Sequence, residues 1–151
     1  MSIFADLQAG VTTRSVEETE AIAAALVRHL PVEATLGLHG PLGVGKTTFV
    51  RGLARALGWA QDVTSPTYNL FTLYRAPTRR LIHMDAYRLE SAEAMDALML
   101  EDFLEPPYLL AIEWAENITA WLPRETWHLD FALPSETTRR LTLRGVELSH
   151  P

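Results

Sequence analysis

The sequence predicts an α/β fold: a single domain over residues 1–151, with helices on both faces of a mixed sheet that has a parallel core and antiparallel strands at one side. Three observations predict it. An apolar run at Thr35–Leu38 leads through a glycine-rich loop into a segment with Phe49, Val50, Leu53, Ala54 and Leu57 on one helical face. A second run, Tyr108–Ile112, is also uniformly apolar, as central strands covered on both faces are. Near the end, Trp127, Leu129, Phe131 and Leu133 alternate with polar residues, and so do Leu141 and Leu143, which is the pattern of antiparallel strands with one buried face.

Taken in order, Val11–Arg14 reads as a short strand. Ser15 then caps a helix, with Glu18 completing a capping box and Ile22, Leu26 and Leu30 forming the buried stripe until Pro31 stops it. Thr35–Leu38 is the first central strand, and the helix after the glycine loop closes at Gly58 in the C′ position. Asp62–Thr67 is a polar turn fixed by Pro66. Tyr68–Tyr74 and Leu81–Met84 flank a turn at Ala76–Arg79 and suggest a hairpin. Ser91 is positioned to cap a helix carrying Ala94, Met95, Leu98 and Met99, which ends near Leu104 before Pro106 and Pro107. After the strand Tyr108–Ile112, a helical turn runs to Trp121, and the last two strands form a hairpin around Pro134–Thr137.

Composition bounds the function. The apolar content of 48% and charged content of 21% are those of a globular chain. The absence of cysteine excludes a disulfide framework and thiol metal sites, and fits a reducing compartment. The opening MSIFADLQAG lacks a basic flank before an apolar core, and no apolar run is long enough to span a bilayer, so the cytoplasm is expected and a membrane is not. A net charge of −6 argues against a protein that grips nucleic acid through its phosphates, so any RNA involvement is expected to run through a partner. The arginines at 75, 79 and 80, and at 139, 140 and 144, read as solvated strand and turn positions.

The glycine loop carries the chemistry. Gly40, Gly43, Gly45, Lys46 and Thr47 fill G-x-x-x-x-G-K-[ST] between a strand and a helix, the context a phosphate-binding loop requires, so the fold is P-loop NTPase-like. The loop backbone from Gly40 through Leu42, Gly43, Val44, Gly45 and on to Thr48 turns its N–H groups toward phosphate oxygens, and the helix start adds further donors. Lys46 reaches the β- and γ-phosphates, and the Thr47 hydroxyl ligates a magnesium ion. Lys46 is the only lysine in the chain, so a compact ammonium is placed where every other cation is a guanidinium.

Hydrolysis needs an acid near the metal and a group to aim water. Asp85 follows the strand LIHM and Glu113 follows YLLAI, and the carboxyl ends of strands are where ligands bind in such sheets. Glu113 better fits an apolar strand ending in a metal-supporting acid. Thr64, Ser65 and Thr67 occupy the interval where nucleotide switches place a threonine on the metal or γ-phosphate. His83 either orients Asp85 or water, or packs as a core histidine. Trp114 either covers the nucleotide or belongs to the core. Arg88 is a candidate for a phosphate contact or a salt bridge.

In this order GPLGVGKTTFVRGL, VTSPTYNL, HMDAYRL, LEDF and IEWAEN resemble the bacterial TsaE (YjeE) family over about residues 15–144. Pro41 stands where that family often has an acid, and Val44 where alanine is usual. The resemblance implies a soluble ATPase that uses ATP and Mg²⁺, yields ADP, and works with two partners, TsaB and TsaD, of which TsaD transfers a threonylcarbamoyl group to tRNA adenosine. Its implied role is to reset that complex, with little activity alone. By this resemblance Lys46 and Thr47 match the loop lysine and metal threonine, Thr67 a switch-like threonine, and Trp114 an aromatic near the nucleotide. Asp85 and Glu113 match the two acids, sharing water activation and metal support in an order the sequence leaves open. The alternatives are a small-molecule kinase using the same loop, and a nucleotide-dependent binding switch without significant hydrolysis.

Overall fold

Local sequence signals set the boundaries of the elements. The computed structural model describes residues 2–41, 43–64 and 70–145. Helix α1 (Ile3–Ala9) begins where the Ser2 hydroxyl accepts the Ala5 N–H, and it ends at Gly10. After β1 (Val11–Thr13), helix α2 (Val16–Val27) starts with the Ser15 hydroxyl accepting the Glu18 N–H, while the Glu18 carboxylate reaches back to the Arg14 N–H at 2.9 Å. Then follow β2 (Glu33–His39), α3 (Lys46–Ala56), β3 (Phe71–Arg75), β4 (Arg80–Asp85), β5 (Tyr108–Glu113), β6 (Trp127–Ser135) and β7 (Thr138–Arg144). Three 3₁₀ segments, Ala92–Leu98, Leu100–Phe103 and Ala115–Trp121, lie between the strands.

The strands form one sheet in the order β1-β7-β6-β2-β5-β4-β3. The core β6-β2-β5-β4 is parallel, and antiparallel pairs extend it at both edges, β7 and β1 beyond β6 and β3 beyond β4. The mixed sheet with a parallel core is the expected one. Antiparallel pairing reaches both edges because the β3–β4 hairpin places β3 outermost.

Alternation of side chains divides the core between the two faces. Leu36, Leu38, Leu109, Ala111, Leu129 and Phe131 pack with Ala23 and Leu26 of α2 and Phe49 and Leu53 of α3. Ile82, Met84, Leu110 and Ile112 point the other way and pack with Met95, Leu100, Ala115 and Ile118 from the 3₁₀ segments.

Three expectations need correction. Helix α1 precedes the first element that the sequence pattern predicts. Helix α2 ends at Val27 rather than near Leu30, although Leu30 is still buried. The segment after Ser91 is two 3₁₀ pieces rather than one helix, because Met99 sits at φ 52° and interrupts the ladder, and the Ser91 side chain makes no cap. The polar turn at 62–67 and the strand start at 68–69 fall largely outside the described residues.

Candidate nucleotide site

Parallel register brings the site together. Leu38 is level with Glu113, and Glu113 is level with Asp85, so the glycine loop after β2 and both acids share the carboxyl edge of the sheet. A cleft of about 280 Å³ opens there, lined by Gly43, Gly45, Lys46, Thr47, Thr48, Asp85, Glu113 and Trp114. Gly45 is the N-cap of α3 with φ 109°, a left-handed conformation, and a Cβ there would meet no atom within 4 Å. Backbone conformation, and not crowding, therefore calls for glycine at this position.

Lys46 is only 4% exposed. Its Nζ donates to the Gly40 carbonyl at 2.7 Å and lies 4.0 Å from the centre of the Trp114 ring. Burial lowers the pKa of the ammonium, and the carboxylates of Glu113, Glu116 and Asp85 oppose that shift. Trp114 reaches this position from a left-handed backbone, φ 60°, at the head of the segment Ala115–Trp121, a conformation costing on the order of 1–3 kcal/mol for a bulky residue. The Tyr87 ring lies 5.1 Å from that of Trp114, which also packs against the buried cluster containing Ile112, Ala115 and Ile118.

Glu113 is buried and tethered twice through one oxygen. Thr47 Oγ1 donates to Oε2 at 3.1 Å, and His83 Nε2 lies 2.6 Å from the same oxygen. Of the readings that sequence left open for His83, orienting Asp85 or water or packing as a core histidine, the structure shows a fully buried ring that pairs with Glu113. Asp85 Oδ1 accepts the Tyr87 N–H at 2.9 Å, closing a turn that directs the chain away from β4. The hydroxyl of Thr47 and the two carboxylates are hard oxygen donors, few in number and beside a glycine loop of the phosphate-binding pattern, a set that suits magnesium, an ion that keeps several waters.

Of the other residues singled out by sequence, Val44 is buried and Gly40 supplies its carbonyl to Lys46. Arg88 is exposed and does not line the cleft, and Thr64 is exposed with its carbonyl facing the Tyr74 hydroxyl. Leu42, Ser65 and Thr67 lie outside the described residues. Sequence reasoning missed a second cavity, about 200 Å³, on the other side of Gly43, Gly45 and Thr48, walled by Thr13, Arg14, Glu136 and Arg139. Its walls come from opposite ends of the chain, joined by the antiparallel pairing of β1 with β7, so no local pattern marks them. It also missed a polar cluster at the foot of the loop: His39 Nδ1 donates to Glu116 Oε1 at 3.1 Å, and His39 Nε2 and His128 Nδ1 share a hydrogen bond of 2.8 Å.

The fold and cleft define a mixed α/β protein with a glycine loop of the phosphate-binding pattern at the carboxyl edge of its sheet. Residues 13–141 match the family model for the threonylcarbamoyl adenosine biosynthesis protein TsaE. The chain is 34% identical to the tRNA threonylcarbamoyladenosine biosynthesis protein TsaE of Bacillus subtilis, over 86% of this chain and 81% of that protein. It is 32% identical to the protein of the same name from Treponema pallidum, over 87% and 96% of the two chains. Among solved structures, YdiB of Bacillus subtilis superimposes with a TM-score of 0.76 at 31% identity, covering 91% of this chain and 85% of that one. The chain therefore belongs to the TsaE family, whose role is in tRNA threonylcarbamoyladenosine biosynthesis.

Proposed function

We propose that this chain is a Mg²⁺-dependent ATPase of the tRNA threonylcarbamoyladenosine machinery, hydrolysing ATP to ADP in support of a threonylcarbamoyl-transferase complex of TsaD- and TsaB-like partners in the cytoplasm. One observation carries the reading: Lys46, Thr47, Asp85 and Glu113 line one cleft, with the Thr47 hydroxyl bonded to the Glu113 carboxylate at 3.1 Å. Lys46 and the loop N–H groups stabilise charge on the β- and γ-phosphates. The contact between Thr47 and Glu113 favours Glu113 as the acid on the metal side. That leaves Asp85 to orient water and take its proton as the water oxygen attacks the γ-phosphorus and ADP departs. Magnesium, held through the Thr47 hydroxyl and the Glu113 carboxylate, would neutralise charge on the polyphosphate. The second cavity, contiguous with the loop through Gly43, Gly45 and Thr48, offers room for the nucleoside.

The test is phosphate release from ATP by this chain with and without its TsaD- and TsaB-like partners. Turnover is expected to be weak alone and to rise when the partners are present. Lys46→Ala or Thr47→Ala is expected to lower it by about 10²–10³-fold, the scale of losing one preorganised electrostatic contact. Native turnover in Thr47→Ala would remove the metal assignment. Nucleotide binding without phosphate release even in the full mixture would favour a binding switch, and a phosphorylated small acceptor would favour a kinase.

A further inference from the structure

We propose that His83 is a positioning residue that fixes the Glu113 carboxylate for metal support; the proposal rests on the reading of the cleft developed above. His83 sits in β4 with no exposed surface, between Ile82 and Met84, which are equally buried and pack in the core. Parallel pairing puts His83 level with Ala111 and two residues short of the Asp85–Glu113 level, so its ring extends along the sheet toward the end of β5. There Nε2 lies 2.6 Å from Glu113 Oε2.

A carboxylate oxygen only accepts, so the proton of this bond is on Nε2. Nδ1 is buried and has no partner among the described residues. A histidine serving only the core would be expected to satisfy both nitrogens, and an apolar side chain would fill this place without leaving a buried polar atom unpaired. The bond that the ring does make is to Glu113.

The geometry gives that bond a purpose. Glu113 carries its carboxylate on a flexible stem and ends a strand beside the open cleft. Thr47 alone would leave the carboxylate plane free to turn about one contact. The His83 and Thr47 donors converge on Oε2 from β4 and α3, and Oε1 accepts no hydrogen bond among the described residues. One oxygen is therefore pinned and the other is left for the metal's water shell. Partners of this kind, one step behind a ligand, typically change metal affinity or activity by about 10–100-fold.

The experiment compares His83→Gln with His83→Asn. The glutamine amide nitrogen reaches about as far as Nε2 and keeps a donor for Oε2, whereas the asparagine nitrogen reaches only as far as Nδ1. Two readouts are taken: Mn²⁺ affinity in the presence of ADP, from the electron paramagnetic resonance signal of free Mn²⁺, and ATP turnover with the partner proteins. His83→Asn is expected to weaken Mn²⁺ binding and lower kcat, each by about tenfold or more, with KM for ATP changed less than about twofold. His83→Gln is expected to restore most of both. Equal Mn²⁺ affinity in the two variants, whether both native or both impaired, would overturn the proposal. If the wild-type chain binds Mn²⁺-ADP but releases no phosphate, the ATPase reading fails, and the Gln–Asn difference in Mn²⁺ affinity still decides the role of His83. If the wild type turns over and the variants do not differ, the positioning role alone fails.

Discussion

Lys46 and Trp114 show how much of this site is decided by single side chains. The ammonium is held between the Gly40 carbonyl and the Trp114 ring, at 2.7 Å and 4.0 Å. A polyphosphate that draws Nζ onto itself removes a cation from the indole face. Adding Mg-ADP is therefore expected to shift the intrinsic emission, and the shift should vanish in Trp114→Phe, which leaves Trp59, Trp121 and Trp127 as constant background. An undiminished shift in that variant would place the reporter elsewhere. At this scale the sequence was legible where chemistry depends on neighbours in the chain: the spacing of Gly40, Gly43, Gly45, Lys46 and Thr47, and the acids that close the apolar runs before Asp85 and Glu113. It was not legible that His83 would meet Glu113. That pairing depends on the register of β4 against β5, which joins residues 30 apart in the chain.

Elements make the next level of argument, and the contact of α2 with α3 is the sharpest case. A Cβ on Gly52 of α3 would lie 2.8 Å from Glu20 Cα, Glu20 O and Ala23 Cβ of α2. Helix propensity alone favours alanine over glycine by about 1 kcal/mol. Overpacking against backbone atoms costs about 1–3 kcal/mol, so the crossing is expected to win and Gly52→Ala to lower the urea midpoint. A raised midpoint would show that the helices separate freely. Glu20 reinforces the same crossing through Arg51 at 3.4 Å and Arg55 at 2.7 Å, pairs worth little individually because both arginines are partly exposed.

The junction of β2, β6 and the segment Ala115–Trp121 gives a pH signature. Burial lowers the pKa of His128, and the neighbouring His39 and Arg144 add to that, against an opposing contribution from Asp130. The unfolded chain then binds a proton more readily than the folded one below the ordinary imidazole value. Stability from this group is present above about pH 6.5 and is lost as pH falls toward the lowered folded value. His128→Gln is expected to flatten that part of the stability profile measured by urea unfolding, and an unchanged slope would assign the acid sensitivity to other groups. Elements with strong local codes were readable in advance, α2 from its capping box and β2 and β5 from uniform apolarity. The region after Ser91 was not: its apolar spacing suits a helix, but a left-handed Met99 divides it, a choice made by packing against β4 and β5.

For the whole molecule, charge and topology set the terms of association. The chain has a net charge of −6, and two of the arginines at 75, 79 and 80 are occupied within the fold: Arg79 donates to the Pro31 and Tyr108 carbonyls, and Arg80 pairs with Glu105. In the β6–β7 pair Arg144 is bonded through two nitrogens to Asp130. A surface of this kind has little to offer a phosphate backbone, so the chain alone is expected to show no measurable retention of tRNA in a filter-binding assay at about 0.15 M salt. Tight retention would mean that RNA contact is direct. No helix among the described residues is long and apolar enough to cross a membrane. The whole-chain architecture was readable as a class, since alternating and continuous apolar runs distinguish the edge from the centre of a sheet. The second cavity was not, because it exists only once the first and last strands of the sheet edge are side by side.

The resting partners of Lys46 bear on selectivity. An ammonium already seated between a carbonyl and an indole is a poor trap for stray anions, because a newcomer must displace both. Orthophosphate, with one small head, gains little from evicting it, whereas a nucleotide tail offsets the exchange along the length of the loop. The free protein is therefore expected to ignore orthophosphate and, on the proposed function, to release it after hydrolysis, keeping its one lysine in reserve for the ligand that arrives with more than one group to hold.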